Sequence, residues 1–170
     1  MEEIVRGFSW LIDNGLALYW GTSEWTAVKF EEACQIADRL RLHKPVVEQC
    51  QYHMMHRERF EKEHLPLFES RNIGTTIWSP LAGGFLTGKY NDGSIPEGSR
   101  GEIMYKTGGH LAKRADSYFG AENKEKTVAT LTSLAEIAKS IGFTQAQLAL
   151  AWSIAHRDTS TAILGFSRIS

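Results

Sequence analysis

The sequence predicts an α/β fold: a partial (β/α)8 TIM barrel of four parallel strands with surrounding helices. Three observations point there. Apolar strand segments alternate with amphipathic helical ones, and the strand ends recur about every thirty residues, the period of a βα unit in a parallel sheet. Each strand stays apolar until its carboxyl end, where Ser23, Gln49, Ser79 and Ser167 stand; in a barrel those ends share one face, which carries the active site. Residues 77–90 read I-W-S-P-L-A-G-G-F-L-T-G-K-Y, a strand running into a polar, glycine-containing turn with a lysine a few residues on. A complete barrel takes about 250 residues and eight strands, so four strands amount to half of one.

The elements follow in order. Residues 3–13 carry Ile4, Phe8, Leu11 and Ile12 at helical spacing, and Asn14-Gly15 stops the helix. The first strand is expected over the apolar run 16–20. Thr22 or Ser23 then caps a second helix, whose apolar set is Val28, Ala33, Ile36, Ala37 and Leu40. Pro45 marks the next boundary, and 46–50 reads as the second strand. Residues 57–71 form a third helix through Phe60, Leu65, Leu67 and Phe68, broken or kinked at Pro66. Asn72-Ile73-Gly74 ends it, and 75–79 is the third strand. From 91 to 126 the periodicity dissolves into N-D-G-S-I-P-E-G-S-R-G and T-G-G-H, read as one long loop of the kind that covers a site. A long helix then carries Val128, Leu131, Leu134, Ile137 and Ala138 as far as Gly142. Thr144 caps another through Leu148, Ala151, Trp152 and Ala155, and 161–165 is the fourth strand.

With 170 residues, 42% apolar and 11% aromatic, the chain is globular in composition and makes one domain or part of one. A formal charge of -1 leaves no electrostatic footprint for nucleic acid or an anionic membrane surface. No apolar run approaches the ~20 residues that span a bilayer, and Met1 is followed by Glu2 and Glu3 where a secretory signal would be basic. These features read as a soluble, cytoplasmic protein without membrane insertion. Cys34 and Cys50 lie on different segments and read as free, packed thiols.

The turn after the third strand has the chemistry to hold a flat ring and a phosphate. Trp78 offers an aromatic face, Gly83 and Gly84 let backbone approach a ligand closely, and Lys89 supplies positive charge. By itself the segment is also an ordinary strand and turn. Gln49 adds an amide suited to reading a carboxamide such as that of nicotinamide. His53-x-x-His56, with His64 beyond, follows a strand end without clustered cysteines and reads as ordinary loop rather than a metal site. The charged run 57–63 reads as a solvated helix face. Glycines 83, 84 and 88 do not make a Rossmann fingerprint, which must open a helix.

Four motifs carry a resemblance that runs the length of the chain: Y-W-G-T-S-E-W at 19–25, E-Q-C-Q-Y-H-M at 48–54, W-S-P-L-A-G-G-F-L-T-G-K-Y at 78–90 and L-G-F-S-R at 164–168. The chain resembles the carboxyl-terminal half of an aldo-keto reductase, in the branch that contains the beta subunits of voltage-gated potassium channels and their plant and protist relatives. The resemblance implies an NADP(H) site. Ser23 and Gln49 would hydrogen-bond the nicotinamide carboxamide and Trp78 would stack on its ring. Ser79, Pro80, Leu81, Ala82 and Gly83 would line the pyrophosphate, Lys89 and Arg100 would reach the phosphates from the long loop, and Gly165, Ser167 and Arg168 would begin the adenosine 2′-phosphate site. The family's proton-donating tyrosine, its assisting lysine and aspartate, and the neighbouring histidine or asparagine belong to the first four strands, so the resemblance places no catalytic residue in this chain. Glu24 stands where animal channel subunits tend to carry arginine, and Gly83-Gly84 replaces a cysteine-glycine pair.

Two functional classes stay open on this reading: an oxidoreductase that reduces carbonyl substrates with NADPH, and an accessory subunit that binds cofactor and acts through a potassium channel alpha subunit. A truncated, inactive copy is a third. Two unpaired sheet edges and an uncovered apolar face would also favour self-association.

Overall fold

The structure, a computed structural model, describes residues 1–165. Ser167 and Arg168 lie outside the described residues. The chain divides into two compact units, Met1–Trp78 together with the segment from Ile154, and Ser79–Ser153.

The first unit holds the sheet. Its strands are β1 (Gly21–Ser23), β2 (Val47–Gln49), β3 (Gly74–Trp78) and β4 (Thr161–Ile163), in the order β1-β2-β3-β4. Every neighbouring pair is parallel. Helices α1 (Glu2–Asp13), α2 (Ala27–Leu40) and α3 (Leu65–Arg71) belong to the same unit, with a single π turn at Arg59–Glu63. Helix α2 starts where Thr26 caps it, its side chain accepting from Lys29 N–H at 3.3 Å, and ends at Arg41 in the left-handed conformation. Pro66 falls in the first turn of α3, where its missing N–H costs no helical hydrogen bond. The expected break in the third helix therefore sits just before Pro66, at His64.

Strand pairing sorts the side chains by parity. Gly21, Val47 and Gly74 are in register, as are Thr22, Glu48 and Thr75. Thr22, Glu48, Thr75 and Ile77 form the buried face. Ser23, Gln49, Thr76 and Trp78 point to the opposite face, which is exposed or half-buried. On the helix side a core of Val5, Trp20, Ala33 and Ala37 is joined by Ile12, Ile36 and Leu42. Phe60 is packed between Tyr52 and Phe68, at ring centroids of 4.0 and 5.1 Å. Arg71 links α3 to α2 by pairing with both Glu31 and Asp38.

Three expectations for this unit are corrected. The apolar run 16–20 is not the first strand: Leu16 and Tyr19 are exposed, Leu18 is 82% exposed, and β1 lies just beyond. Hydrophobicity misplaced it because the residues that pair with β2 are Gly21, Thr22 and Ser23. Neither Thr22 nor Ser23 caps α2. The Thr22 hydroxyl donates to Glu48 and the Ser23 hydroxyl to the Gln49 carbonyl, so Thr26 does the capping. The covered stripes also differ: α1 buries Val5 and Ser9 while Ile4 and Phe8 remain part-exposed, and Val28 of α2 is 80% exposed.

The second unit corrects the largest misreading. The segment 91–126 is not one loop, for it contains α4 (Arg100–Thr107) and α5 (Gly109–Phe119) ahead of α6 (Lys124–Ser140). Ser99 caps α4 by accepting from Glu102 N–H. Phe85, Tyr90, Tyr118 and Phe119 supply the apolar partners, with Phe85 at centroid distances of 4.6, 5.1 and 4.9 Å from the other three rings. Helix α7 (Gln145–Ile154) begins with the expected cap: Thr144 and Gln147 bond reciprocally, the Thr144 hydroxyl accepting from Gln147 N–H and the Gln147 amide oxygen from Thr144 N–H.

Both cysteines are buried and free, as expected. Burial pushes their thiols up, to about 11 for Cys34 and about 12 for Cys50, which makes thiolate chemistry unfavourable at either. None of the helices among the described residues is long and apolar enough to cross a membrane.

Two outcomes follow from the sheet. A Cβ at Gly21 would sit 2.6 Å from the Val47 carbonyl oxygen. Gly21→Ala must therefore push β1 away from β2, and it is expected to cost about 1–3 kcal/mol, the usual range for overpacking; urea denaturation matching wild type would contradict this contact. Glu48 is the second case. Burial pushes its carboxyl above the ordinary 4.5, against hydrogen bonds from Thr22 and the Trp25 N–H. An acid whose folded pKa is raised holds its proton more tightly when folded, so its contribution to stability declines as pH rises from 4.5 through the folded value. Glu48→Gln should gain stability relative to wild type over that rise, and a pH-independent difference would contradict the assignment.

Candidate functional site

Three of the expected binding residues are brought together by the sheet. Ser23 ends β1, Gln49 ends β2 and Trp78 ends β3, on adjacent strands, all at carboxyl ends and all on the face opposite Glu48 and Ile77. The Ser23 hydroxyl donates to the Gln49 carbonyl at 3.1 Å. The Gln49 amide group reaches the Thr76 hydroxyl at 3.4 Å, a long bond that leaves its carboxamide weakly committed. The hydroxyl and amide thus lie on the half-exposed face that also presents the indole.

Glu24 links these strand ends. Its backbone is left-handed, with φ at 57°, a conformation uncommon for a residue with a long side chain. One carboxylate oxygen accepts from the Trp78 indole N–H at 2.8 Å and from the Gln51 backbone N–H at 2.7 Å, and the other pairs with Arg59 at 2.5 Å. Glu24 N–H in turn donates to the Gln49 carbonyl at 3.1 Å. Residues 51 and 78 themselves form a parallel bridge. The indole of Trp78 is therefore held at its nitrogen edge.

The expected residues between Ser79 and Arg100 lie in the second unit. Ser79, which follows Trp78 directly in sequence, has φ at 57°, and Ala82, Gly83 and Gly84 continue with φ at 53°, 68° and 104°. The turn is closed internally. Ala82 N–H donates to the Ser79 carbonyl at 2.8 Å, Gly84 N–H to the Leu81 carbonyl at 2.8 Å, and Gly83 N–H to the Ser79 hydroxyl at 2.9 Å. Pro80 and Ala82 are buried, and Leu81 is half-buried. The amides of Ala82, Gly83 and Gly84 are thus used within the turn, and Pro80 has none.

Lys89 and Arg100 are exposed. Arg100 opens α4 rather than standing on a loop, and its Cβ lies 3.8 Å from where a Cβ on Gly84 would be. Tyr90 holds this corner together, accepting from Gly101 N–H at 3.0 Å. A third cation went unread in the sequence: Arg114 of α5 donates to the Ser79 hydroxyl at 2.7 Å. The spacing of Leu111, Ala115, Tyr118 and Phe119 would have revealed its helix. Gly165, past β4, is exposed.

His53 and His56 pair through their backbones, at 2.8 Å for His56 N–H to the His53 carbonyl, in keeping with the loop reading. His64 is buried and its ring bonds the Trp25 carbonyl at 3.0 Å. Burial lowers its pKa from the ordinary 6.5, disfavouring the charged imidazolium.

The first unit thus sets a primary amide and a hydroxyl beside an indole on one strand-end face, and the second, by itself, carries cations on and after a turn of left-handed residues. The aldo/keto reductase family model matches residues 1–170. A Schizosaccharomyces pombe protein named as a voltage-gated potassium channel subunit beta is 46% identical over 168 residues, covering 99% of this chain and 46% of that protein. Proteins similarly named from Arabidopsis thaliana and Oryza sativa are 44% and 42% identical, with 100% and 99% of this chain covered against 49% and 48% of theirs. The chain spans about half the length of these curated relatives. With the family model matched from first residue to last and its strand-end residues assembled on one parallel sheet, the chain belongs to the aldo/keto reductase family.

Proposed function

We propose that residues 1–170 are the carboxyl-terminal, NADP(H)-binding half of an aldo-keto reductase oxidoreductase domain that, when complete, reduces aldehydes or ketones. The observation that carries the reading is the placement of Ser23, Gln49 and Trp78 on one face at the ends of three adjacent strands. Bound NADPH supplies a hydride for a carbonyl carbon. The chain's own residues bind and orient. Ser23 and Gln49 hydrogen-bond the carboxamide, and the Trp78 ring stacks on the nicotinamide. Ser79, Pro80, Leu81, Ala82 and Gly83 lie along the pyrophosphate, while Lys89 and Arg100 pair with phosphate oxygens. Gly165, Ser167 and Arg168 meet the 2′-phosphate.

No tyrosine in this sequence matches the family's proton-donor motif. The chain by itself is proposed to hold the cofactor without donating the proton that carbonyl reduction requires.

A second reading, an accessory subunit that binds cofactor and acts on a potassium channel alpha subunit in the cytoplasm, is favoured by the names of the three relatives. Co-purification of a channel alpha subunit with the full-length protein, in the absence of carbonyl turnover, would favour it over the enzyme.

Calorimetric titration with NADPH tests the cofactor reading. Loss of ring stacking in Trp78→Ala is expected to weaken binding about tenfold, and Lys89→Ala should weaken it by a smaller factor that shrinks as salt rises. Wild-type affinity in both variants would refute the proposed cradle. Self-association is proposed as well, supported by exposed Trp10 on α1, by exposed Leu16, Leu18 and Tyr19 just ahead of β1 in sequence, and by the place of β1 at the end of the strand order. Light scattering at micromolar concentration is expected to give a dimer or larger species, and a stable monomer would contradict it.

A further inference from the structure

We propose that Glu24 is a positioning residue for the nicotinamide platform: its carboxylate clamps the nitrogen edge of the Trp78 indole and so fixes the plane on which the cofactor ring stacks. The role rests on the cofactor reading above and adds to it a residue that binds no cofactor atom.

The geometry is specific to an acceptor at this position. An indole has one polar atom, a donor, at the edge of a large apolar surface. A bond at that edge removes rotation about the last side-chain torsion, which packing against one face leaves open. The Glu24 oxygen that accepts the indole N–H at 2.8 Å also accepts Gln51 N–H at 2.7 Å, so the acceptor is itself tied to the backbone beyond β2. Arg59 holds the second oxygen at 2.5 Å and reaches Glu63 at 3.5 Å. Glu24 and Arg59 are part-exposed, at 38% and 28% of their side chains, so their ion pair alone contributes little to stability. Its effect is to aim the carboxylate.

Backbone conformation carries the same sign. Glu24 and Ser79 are both left-handed without being glycine, with φ at 57° in each case. Strain of this kind persists where surrounding structure over-determines it, and here it brackets the indole: Glu24 supplies the acceptor and Ser79 is the residue directly after Trp78. A glutamate turned back across the strand ends by a left-handed backbone reaches β3 from β1, past the intervening β2.

The test uses the full chain, with NADP+ as probe, and reads both the indole and the affinity. In nitrogen-labelled protein the Trp78 indole N–H cross-peak is identified by its loss in Trp78→Phe. Glu24→Ala removes the acceptor: the cross-peak should move to the position of a weakly bonded indole, and NADP+ affinity should fall about tenfold, the scale of one hydrogen bond to a charged group. Glu24→Gln keeps an acceptor oxygen and should restore affinity to within about threefold of wild type. In the Trp78→Phe background, where there is no indole N–H to hold, Glu24→Ala should cost nothing further. Where Glu24→Ala does not fold, Glu24→Asn tolerates the left-handed backbone and is one methylene too short to reach the indole, so it serves in its place.

An unmoved cross-peak in Glu24→Ala overturns the clamp. A moved cross-peak with unchanged affinity, or an equal loss of affinity in the Trp78→Phe background, overturns the positioning role. Wild-type protein that binds no NADP+ refutes the cofactor reading itself and the positioning role with it.

Discussion

The ends of β1, β2 and β3 are tied together by the Glu24 carboxylate, and the other features of the strand-end face depend on that tie. Strands of three residues in β1 and β2 leave few ladder hydrogen bonds to fix their carboxyl ends. The carboxylate adds bonds beyond the ladder, to Gln51 N–H and to the Trp78 indole, while Glu24 N–H continues the β1–β2 pairing by donating to the Gln49 carbonyl. Ser23 and Gln49 stand next to this knot and inherit its position. The cost is a left-handed glutamate, which the chain tolerates because several bonds fix it at once.

The two faces of the sheet explain why these groups are accessible. Thr22, Glu48, Thr75 and Ile77 are buried, and a carboxylate among them has to be satisfied by Thr22 and the Trp25 N–H because burial disfavours its charge. The opposite parity keeps Ser23, Gln49 and Trp78 half-buried or exposed. A one-residue slip of β1 would exchange Thr22 with Ser23 and put the hydroxyl of the site into the core. Gly21 guards that register, since only a residue without a side chain fits against the Val47 carbonyl.

Much of this was legible in the sequence. The alternation of strand and helix, the parallel order, the kink before Pro66 and the Thr144 cap all follow from local periodicity and turn chemistry. Placement of β1 did not, because hydrophobicity marked 16–20 while the paired residues are Gly21, Thr22 and Ser23, defined only by their partners in β2. Helices α4 and α5 were hidden by glycines and polar residues, although Gly108 and Gly109 sit at the junction between them, where positive φ is needed. Arg114 was lost with α5. Glu24 was visible as an unusual residue in its motif, but its bond to Trp78 spans 54 positions and cannot be read from spacing.

The central claim, that the strand-end face built around Glu24 is where the cofactor binds, is tested most directly by hydrogen–deuterium exchange with and without NADP+. The account predicts slowed exchange at the amides following β1, β2 and β3, around Glu24, Gln51 and Ser79, with α1 and α6 unchanged. Protection confined to α1 or α6, with the strand ends exchanging as in the free protein, would contradict it.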